Sequence, residues 1–371
     1  MTLCLQAESK RFVQAFLFLF FLTVQPHLAK SASLFQYHQV AMGTFIEITL
    51  IGEDEKLAEQ SALQAFQEIK RIEQLMSPKI ESGDVFRLNK FAGKQRERVS
   101  PETMQVIKKA LEISELSDGG FDISVDPLIQ IWKNAWERGT PPSSEEIRKN
   151  LHLVNFRNIL IDGKDRVFLK KKGMAIDLGG IAKGFAVDKA FELLRNLGYK
   201  NLIVNAGGDL RVGGSKFDQS WSVGIQHPRI PEKSIARVSA SEEAVATSGD
   251  YEKFFIHEGK RYHHILNPKN GFPVEGLQSV TVFHRNPSSP PFRKSPLRPP
   301  LIKGGTGGFD SHFPGNGMVA DALATAIFVL GPEKGYDLCQ RLNGVECIII
   351  DQEGKINFSP GLKDRLSLHV D

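Results

Sequence analysis

Cysteine is scarce: the 371 residues hold three, Cys4, Cys339 and Cys347. Cys4 falls in an N-terminal segment expected to be removed, so the mature chain would keep two, too few for a disulfide framework. Cys339 lies in a helical pattern and Cys347 opens the apolar run Cys347-Ile348-Ile349-Ile350, so both are expected as buried thiols. No Cys/His group has zinc-site spacing, which excludes that class of metal centre. A strong charge of either sign is missing too. Lys and Arg number 47 against 43 Asp and Glu, and so small an excess leaves no footprint for nucleic acid or an anionic membrane surface. Long hydrophobic runs are equally rare. The one that stands out, Phe12 to Val24, is thirteen residues, too short to span a bilayer comfortably.

What is present begins with that run. Lys10 and Arg11 precede it, and Ala29-Lys30-Ser31 follows with a small-x-small cleavage pattern, the layout of a secretory signal peptide over residues 1–31. The expectation is an exported protein, periplasmic or on the outer face of the inner membrane; a retained N-terminal anchor or peripheral membrane association stays open. No Cys follows the apolar run, so nothing supports a lipid anchor. The remainder has the makeup of a soluble globular chain with length enough for a full core. Residues 286–316 depart from it: Pro, Ser, Gly and basic residues dominate, as in Gly304-Gly305-Thr306-Gly307-Gly308. Such a stretch cannot bury a core and reads as a low-complexity inserted loop.

Thr44 to Leu50 alternates with period two and predicts a strand after Met42-Gly43. Leu57, Ala62, Phe66, Ile69 and Leu75 recur at helical intervals, so an amphipathic helix covers that strand. Ser100-Pro101 is an N-cap with proline at the first helical position; Gly119-Gly120 breaks the helix it starts, just before Phe121-Asp122. Ala175 to Gly184 reads as a strand end, a glycine turn and the start of a helix running to about Leu197. Glycines there let main-chain groups reach a phosphate or a metal, and a helix N-terminus favours anions. The run is neither a P-loop, since Gly184 follows Lys183, nor a dinucleotide fingerprint. A tight turn with a surface lysine is the alternative on local grounds. Leu202-Ile203-Val204 and Trp221 to Ile225 read as strands, Asn205 to Asp209 as a second glycine turn, and Ala246 to Asp250 as a loop presenting two hydroxyls and a carboxylate. His263 and His264, adjacent on a strand, point to opposite faces, so only one can look into a given site. Asn270-Gly271 signals a hairpin turn.

The run from Asp321 to Leu330, stopped by Gly331-Pro332, reads as a short helix. Residues four apart share a face, so Asp321 and Thr325 present a carboxylate and a hydroxyl together, a pair of hard oxygen donors suited to Mg²⁺. An Asp near the N-cap and a Thr bonded back into its own helix is the competing account on this stretch alone.

Met42-Gly43-Thr44, Gly120-Phe121-Asp122, Ile176 to Gly184, Asn205 to Asp209, Thr247 to Asp250, His263-His264-Ile265 and Asp321 to Thr325, in that order, resemble the motif set of the ApbE-type FAD:protein FMN transferases. The likeness runs over about residues 40–350. It implies one α+β catalytic domain over residues 37–365, with a mixed β-sheet core flanked by helices. It implies Mg²⁺-dependent transfer of FMN from FAD to a threonine hydroxyl of an acceptor protein, releasing AMP. The implied partners are FAD and a subunit of a membrane flavin redox complex. By the same resemblance Asp321, Thr325 and the Gly180 carbonyl hold the metal, while Met42, Gly120, Phe121, Asp122, Asp177, Lys183 and the backbone near Leu266 contact FAD. His264 is the candidate for moving the acceptor proton, since neutral imidazole is a base near pH 7; it and Asp321 are the expected catalytic residues. Three departures stand out: Asn267 and Asn270 replace an Asp and a Thr common in the family, Pro78-Lys79 follows Met76-Ser77 where an aromatic is common, and the insertion at 286–316 precedes the metal helix, where it would crowd a protein acceptor. Two rival outcomes of the same site stay in view, a Mg²⁺-dependent FAD pyrophosphatase giving FMN and AMP, and a periplasmic FAD-binding protein without chemistry.

Overall fold

The computed structural model describes residues 31–285 and 316–368. The expected signal peptide, apart from Ser31, and the expected inserted loop, apart from Asn316, lie outside the described residues. Alternating apolar segments build one eight-stranded sheet, in the order Ser33–Ala41, Thr44–Gly52, Leu202–Ala206, Asp209–Gly213, Glu243–Gly249, Leu277–Arg285, Val345–Asp351 and Ile356–Phe358. The α+β expectation holds, with one difference. Every neighbouring pair is antiparallel, where strands of mixed direction were expected. Two-residue turns at Met42-Gly43 and Gly207-Gly208, all four at positive φ, join neighbours directly as hairpins.

Period-two alternation sends Ile46, Ile48, Val204, Ala246, Val280 and Ile349 to one face of the sheet, beneath the helices, and Val212, Val245, Phe283, Ile348 and Ile350 to the other. A three-stranded sheet, Trp221–Gln226, Ser234–Ala240 and Leu366–Leu368, covers that second face. On the helical side, Glu55–Met76 starts where Asp54 accepts the Leu57 N–H and buries Ala58, Ala62, Ala65, Phe66, Ile69 and Ile72. Leu57 itself is 57% exposed, so the buried stripe begins one position later than the sequence pattern predicts. Pro101–Leu116 is capped by Ser100 as expected.

Two local expectations are corrected. Ala175-Ile176 is not a strand end: the Asn89 side chain donates to the Ile176 carbonyl and accepts from its N–H, at 2.9 and 2.7 Å, so an amide side chain stands where a neighbouring strand would pair. Ala246 to Gly249 is not a loop. It closes the strand Glu243–Gly249, with Ser248 opposite Val280.

Asn316–Leu330 lies over the strands Glu243–Gly249 and Leu277–Arg285 and beside the helix Ala182–Asn196. Its sequence is apolar all round, as a central buried helix must be, and Asp321 is its one charged residue. The helix starts before Met318, so Asp321 sits a full turn inside it and is no cap. Gly331, at φ +82°, ends it, and Pro332–Arg341 follows at once. Cys339 and Cys347 are buried thiols outside any disulfide, as expected. Among the described residues no helix is long and apolar enough to cross a membrane.

Candidate active site

The site forms where Ala182–Asn196 crosses Asn316–Leu330, and glycine makes the crossing possible. A Cβ on Gly184 would lie 2.2 Å from the Gly317 carbonyl oxygen, and one on Gly317 would lie 2.7 Å from the Gly184 oxygen, so the two backbones touch where no side chain fits. Asp188, one turn further along the first helix, accepts the N–H groups of Gly317 and Met318 at 2.9 Å each and pairs with Arg211 at 3.0 Å. It thereby satisfies two orphan donors at the start of the second helix. Burial pushes the Asp188 carboxyl up to about 6, against the pull of Arg211.

That clamp sets the angle at which Asp321 and Thr325 face the Asp177-Leu178-Gly179-Gly180 turn. Asp321, 4% exposed, accepts the Gly184 N–H on Oδ2 at 3.0 Å. Thr325 Oγ1 is 3.2 Å from Ser248 Oγ and would meet a Cβ on Gly180 at 3.4 Å. Lys183 reaches into the same space: its Nζ is 2.5 Å from Asp209 Oδ2, 3.4 Å from Asp321 Oδ1 and 3.3 Å from the Gly179 carbonyl oxygen. Burial works against the Lys183 charge, but Asp209 and Asp321 outweigh it and hold the ammonium above the usual lysine range. Burial raises both carboxyls, and their mutual repulsion adds to the shift of Asp209. Among the described residues no three His, Cys, Asp or Glu side chains form a metal cluster. The donors assembled here are of another kind, a carboxylate, a hydroxyl and the adjoining main-chain carbonyls, all hard oxygens of the type Mg²⁺ takes.

From this crossing the Asp177 turn leads to a cleft of about 700 Å³, lined by Pro78, Lys79, Asn89, Lys90, Asp126, Lys133, Trp136, Asp177 and Lys253 among others. Asp177 Oδ1 accepts the Gly179 N–H at 2.7 Å; burial raises its carboxyl, and burial followed by the charge of Asp177 pushes Asp126 up to about 6. The Trp136 indole Nε1 is buried without a partner, a donor left over for a ligand. His264 follows the strand Lys260–His263, and its backbone N–H donates to the Lys253 carbonyl at 3.1 Å. Its Nδ1 is buried and has no hydrogen-bond partner. Burial, then the charges of His263, Lys253 and Lys183, push it down to about 4, so it is neutral at pH 7. His263 turns the other way, as the alternation predicts, and binds the Val274 carbonyl oxygen through Nε2 at 2.7 Å.

The remaining expected residues divide. Phe121 is brought to the site, its ring 3.2 Å from where a Gly180 Cβ would stand, and Gly120 is packed under the Leu330 side chain. Met42 sits at the hairpin turn with φ +52° and its N–H on Glu73 Oε1 at 2.8 Å; the neighbouring Thr44 packs on Gly207, two residues from Asp209. Asp122 is turned inward: it accepts Ser124 N and Oγ and Phe156 N at 2.8, 2.6 and 2.9 Å, so its carboxylate anchors the loop that carries Phe121. The Leu266 side chain packs in a satellite core with Leu128, Trp132 and Ile147, while its main chain bridges to Pro273. At the first two departures, Asn267 and Asn270 accept the N–H groups of Lys269 and Phe272 at 2.9 Å and keep the turn closed, and Lys79 lines the cleft. Sequence reasoning gave no role to Asp209, Asp188 or Glu73. Asp188 had a signal, a lone carboxylate between the apolar Phe185-Ala186-Val187 and Ala190-Phe191, which needs a buried partner.

Buried carboxylates and a hydroxyl converge on a glycine turn, in an antiparallel α+β scaffold beside a cationic cleft suited to an anionic ligand. The ApbE family model matches residues 42–289, and the chain belongs to that family. It is 29% identical over 337 residues to the FAD:protein FMN transferase of Klebsiella pneumoniae (strain 342), covering 90% of this chain and 94% of that protein. It is 28% identical over 346 residues to that of Treponema pallidum (strain Nichols), covering 88% and 87%. Among solved structures, the ApbE protein of Thermotoga maritima superposes with a TM-score of 0.76 at 31% identity, over 90% of this chain and 99% of that one.

Proposed function

We propose that this chain is an FAD:protein FMN transferase that moves the FMN half of FAD onto a threonine hydroxyl of a partner protein and releases AMP. The observation that carries the reading is the convergence of Asp321, Thr325, Lys183 and the Gly179-Gly180 turn at the end of a lysine-lined cleft, in a chain whose relatives bear that name. In this reaction the acceptor oxygen bonds to the FMN phosphorus, the bond from that phosphorus to the bridging oxygen breaks, and AMP keeps the bridging oxygen. His264, neutral and with Nδ1 unpartnered, takes the acceptor proton. Lys183 carries positive charge to the diphosphate, and Trp136 and the cleft lysines bind the rest of the ligand. Asp321, Thr325 and the Gly180 carbonyl would hold Mg²⁺. Bound there, the ion supplies charge neutralisation for the leaving phosphate. The reading extends to an exported enzyme, supported by the Lys10-Arg11 and Phe12-to-Val24 pattern, whose acceptor belongs to a membrane flavin redox complex.

The test incubates the mature protein with FAD and Mg²⁺, with and without a threonine-bearing acceptor domain, and measures AMP and protein-bound flavin fluorescence. Stoichiometric AMP and a flavin-labelled acceptor are expected. Free FMN and AMP with an unlabelled acceptor would make it a pyrophosphatase, and bound FAD without either product a binding protein; both outcomes sink transfer.

A further inference from the structure

The Lys183 ammonium sits in an oxygen cage that is complete without any ligand. Besides Asp209 Oδ2 at 2.5 Å, both Asp321 oxygens are 3.4 Å away and the Gly179 carbonyl oxygen 3.3 Å. Each carboxylate has a backbone anchor of its own. Asp321 has an independent anchor in the Gly184 N–H, so it keeps its place whichever cation faces it. Asp209 takes the Thr247 backbone N–H, while its buried Oδ2 has no hydrogen-bonding group other than the ammonium, 2.5 Å away, which compensates its charge. The contacts are also unequal: close to Asp209, long to Asp321. A small rotation of the flexible lysine stem can therefore free Asp321 without leaving Lys183 unpaired.

We propose that Lys183 Nζ is the resident cation of Asp321 in the metal-free protein, that a divalent cation and Lys183 are alternative occupants of that carboxylate, and that Asp209 keeps Lys183 once Asp321 is given up. The inference rests on the metal assignment in the proposed function and gives Asp209 a positioning role within it. Two buried carboxylates with no cation between them are costly, through desolvation and repulsion together, and the lysine removes that cost in the free protein. The same lysine weakens divalent-ion binding until something else draws it away. An anionic diphosphate next to the Gly179-Gly180 turn does so, which makes ion and ligand bind cooperatively.

The test measures Mn²⁺ binding to the full mature protein without FAD, by the electron paramagnetic resonance signal of the free ion. Lys183→Met should bind Mn²⁺ about tenfold or more tightly than wild type, as losing a competing cation at one carboxylate implies. Asp209→Asn, which leaves Lys183 wholly on Asp321, should bind several-fold more weakly. The double variant separates competition from simple charge proximity: if Asp209 acts by holding Lys183, Asp209→Asn costs little once Lys183 is gone, and the two effects are strongly non-additive. Additive effects, or Lys183→Met binding no tighter than wild type, overturn the proposal. Should the Met variant fail to fold, Lys183→Gln, which can still donate to Asp209, takes its place with the same expectations. Flavin transfer by the wild type is scored separately, so loss of the competition leaves the transferase reading standing, and absent transfer leaves the competition measurable.

Discussion

The helix crossing and the cleft are joined by the short turn from Asp177 to Gly180, yet they follow opposite rules. At the crossing, charge is answered internally: Lys183 by Asp209 and Asp321, Asp188 by Arg211 and two backbone N–H groups. Backbone meets backbone at Gly184 and Gly317, so position there is fixed by contacts that cannot relax. The cleft instead carries four lysines, Lys79, Lys90, Lys133 and Lys253, against Asp126 and Asp177, four minus two giving a surplus of +2 among its lining residues. A region whose charges are paired within it holds geometry; a region with a cationic surplus waits for an anionic ligand. Changes at the crossing should therefore cost chemistry or stability outright, and changes in the cleft should shift affinity and little else.

The largest effect belongs to Asp321. Asp321→Ala leaves Thr325 and a main-chain carbonyl as the donors, too few for a hard divalent ion, and metal-dependent FAD turnover should vanish. Wild-type turnover in that variant at micromolar Mg²⁺ would break the comparison at its strongest point. His264 comes next. His264→Gln should lower kcat/KM for transfer by about 100-fold, the lower end of general-base catalysis. Because the imidazole is held near 4 rather than at its ordinary 6.5, kcat/KM for the wild type should stay level from pH 8 to about 5. It should then fall as His264 takes its proton, a limb the variant lacks. The linkage has the matching sign: the unfolded chain protonates this histidine first, so its contribution to stability is full above pH 6.5 and is lost between there and about 4. A wild-type profile with no limb that the variant lacks would show that the residue is idle, and one centred near 6.5 that it is solvated.

Gly184→Ala tests the crossing by packing alone. Its Cβ would meet a backbone oxygen at 2.2 Å, so one helix must shift, at a cost of about 1–3 kcal/mol. Thermal unfolding should drop by several degrees, and metal affinity should weaken with it because Asp321 moves. Unchanged stability would mean that the helices are free to part.

How much of this was legible depends on whether the signal was local. Asp321 and Thr325 could be paired from helical spacing, and the Gly207-Gly208 turn from residue type, since each rests on contacts within a few residues. The inward turn of Asp122 and the part played by Asp209 could not, because they depend on Phe156 and Lys183, 34 and 26 positions away (156 − 122 and 209 − 183). Asn89 standing in for a strand beside Ile176, 87 residues on, hid the true form of that segment. The three-stranded sheet on the far face was missed for the same reason: Trp221–Gln226 looks like any strand until Leu366–Leu368, far along the chain, joins its sheet.

Lys79 gives the smallest and most diagnostic effect, because it is where the chain departs from the aromatic its family commonly carries. It lines the cleft beside Pro78, at the end of Glu55–Met76, where Ser77 caps the helix through its backbone N–H on the Glu73 carbonyl oxygen. The side chain is exposed, so nothing in the core depends on it and a larger ring can be accepted without repacking. An aromatic ring there would offer a face to a flat heterocycle, a contact worth about 0.5–1.5 kcal/mol, but it would also remove one of the four cleft lysines and its attraction for an anion, worth about 0.2–1 kcal/mol at an exposed site. The first term is the larger. Lys79→Tyr should therefore lower the KM for FAD by about twofold to threefold at physiological salt, with kcat and thermal stability unchanged. The gain should widen as salt rises and screens what the lysine contributed. A change in kcat or in unfolding temperature would show that the cleft is as tightly tied to the fold as the helix crossing is, and the contrast between the two regions would fall.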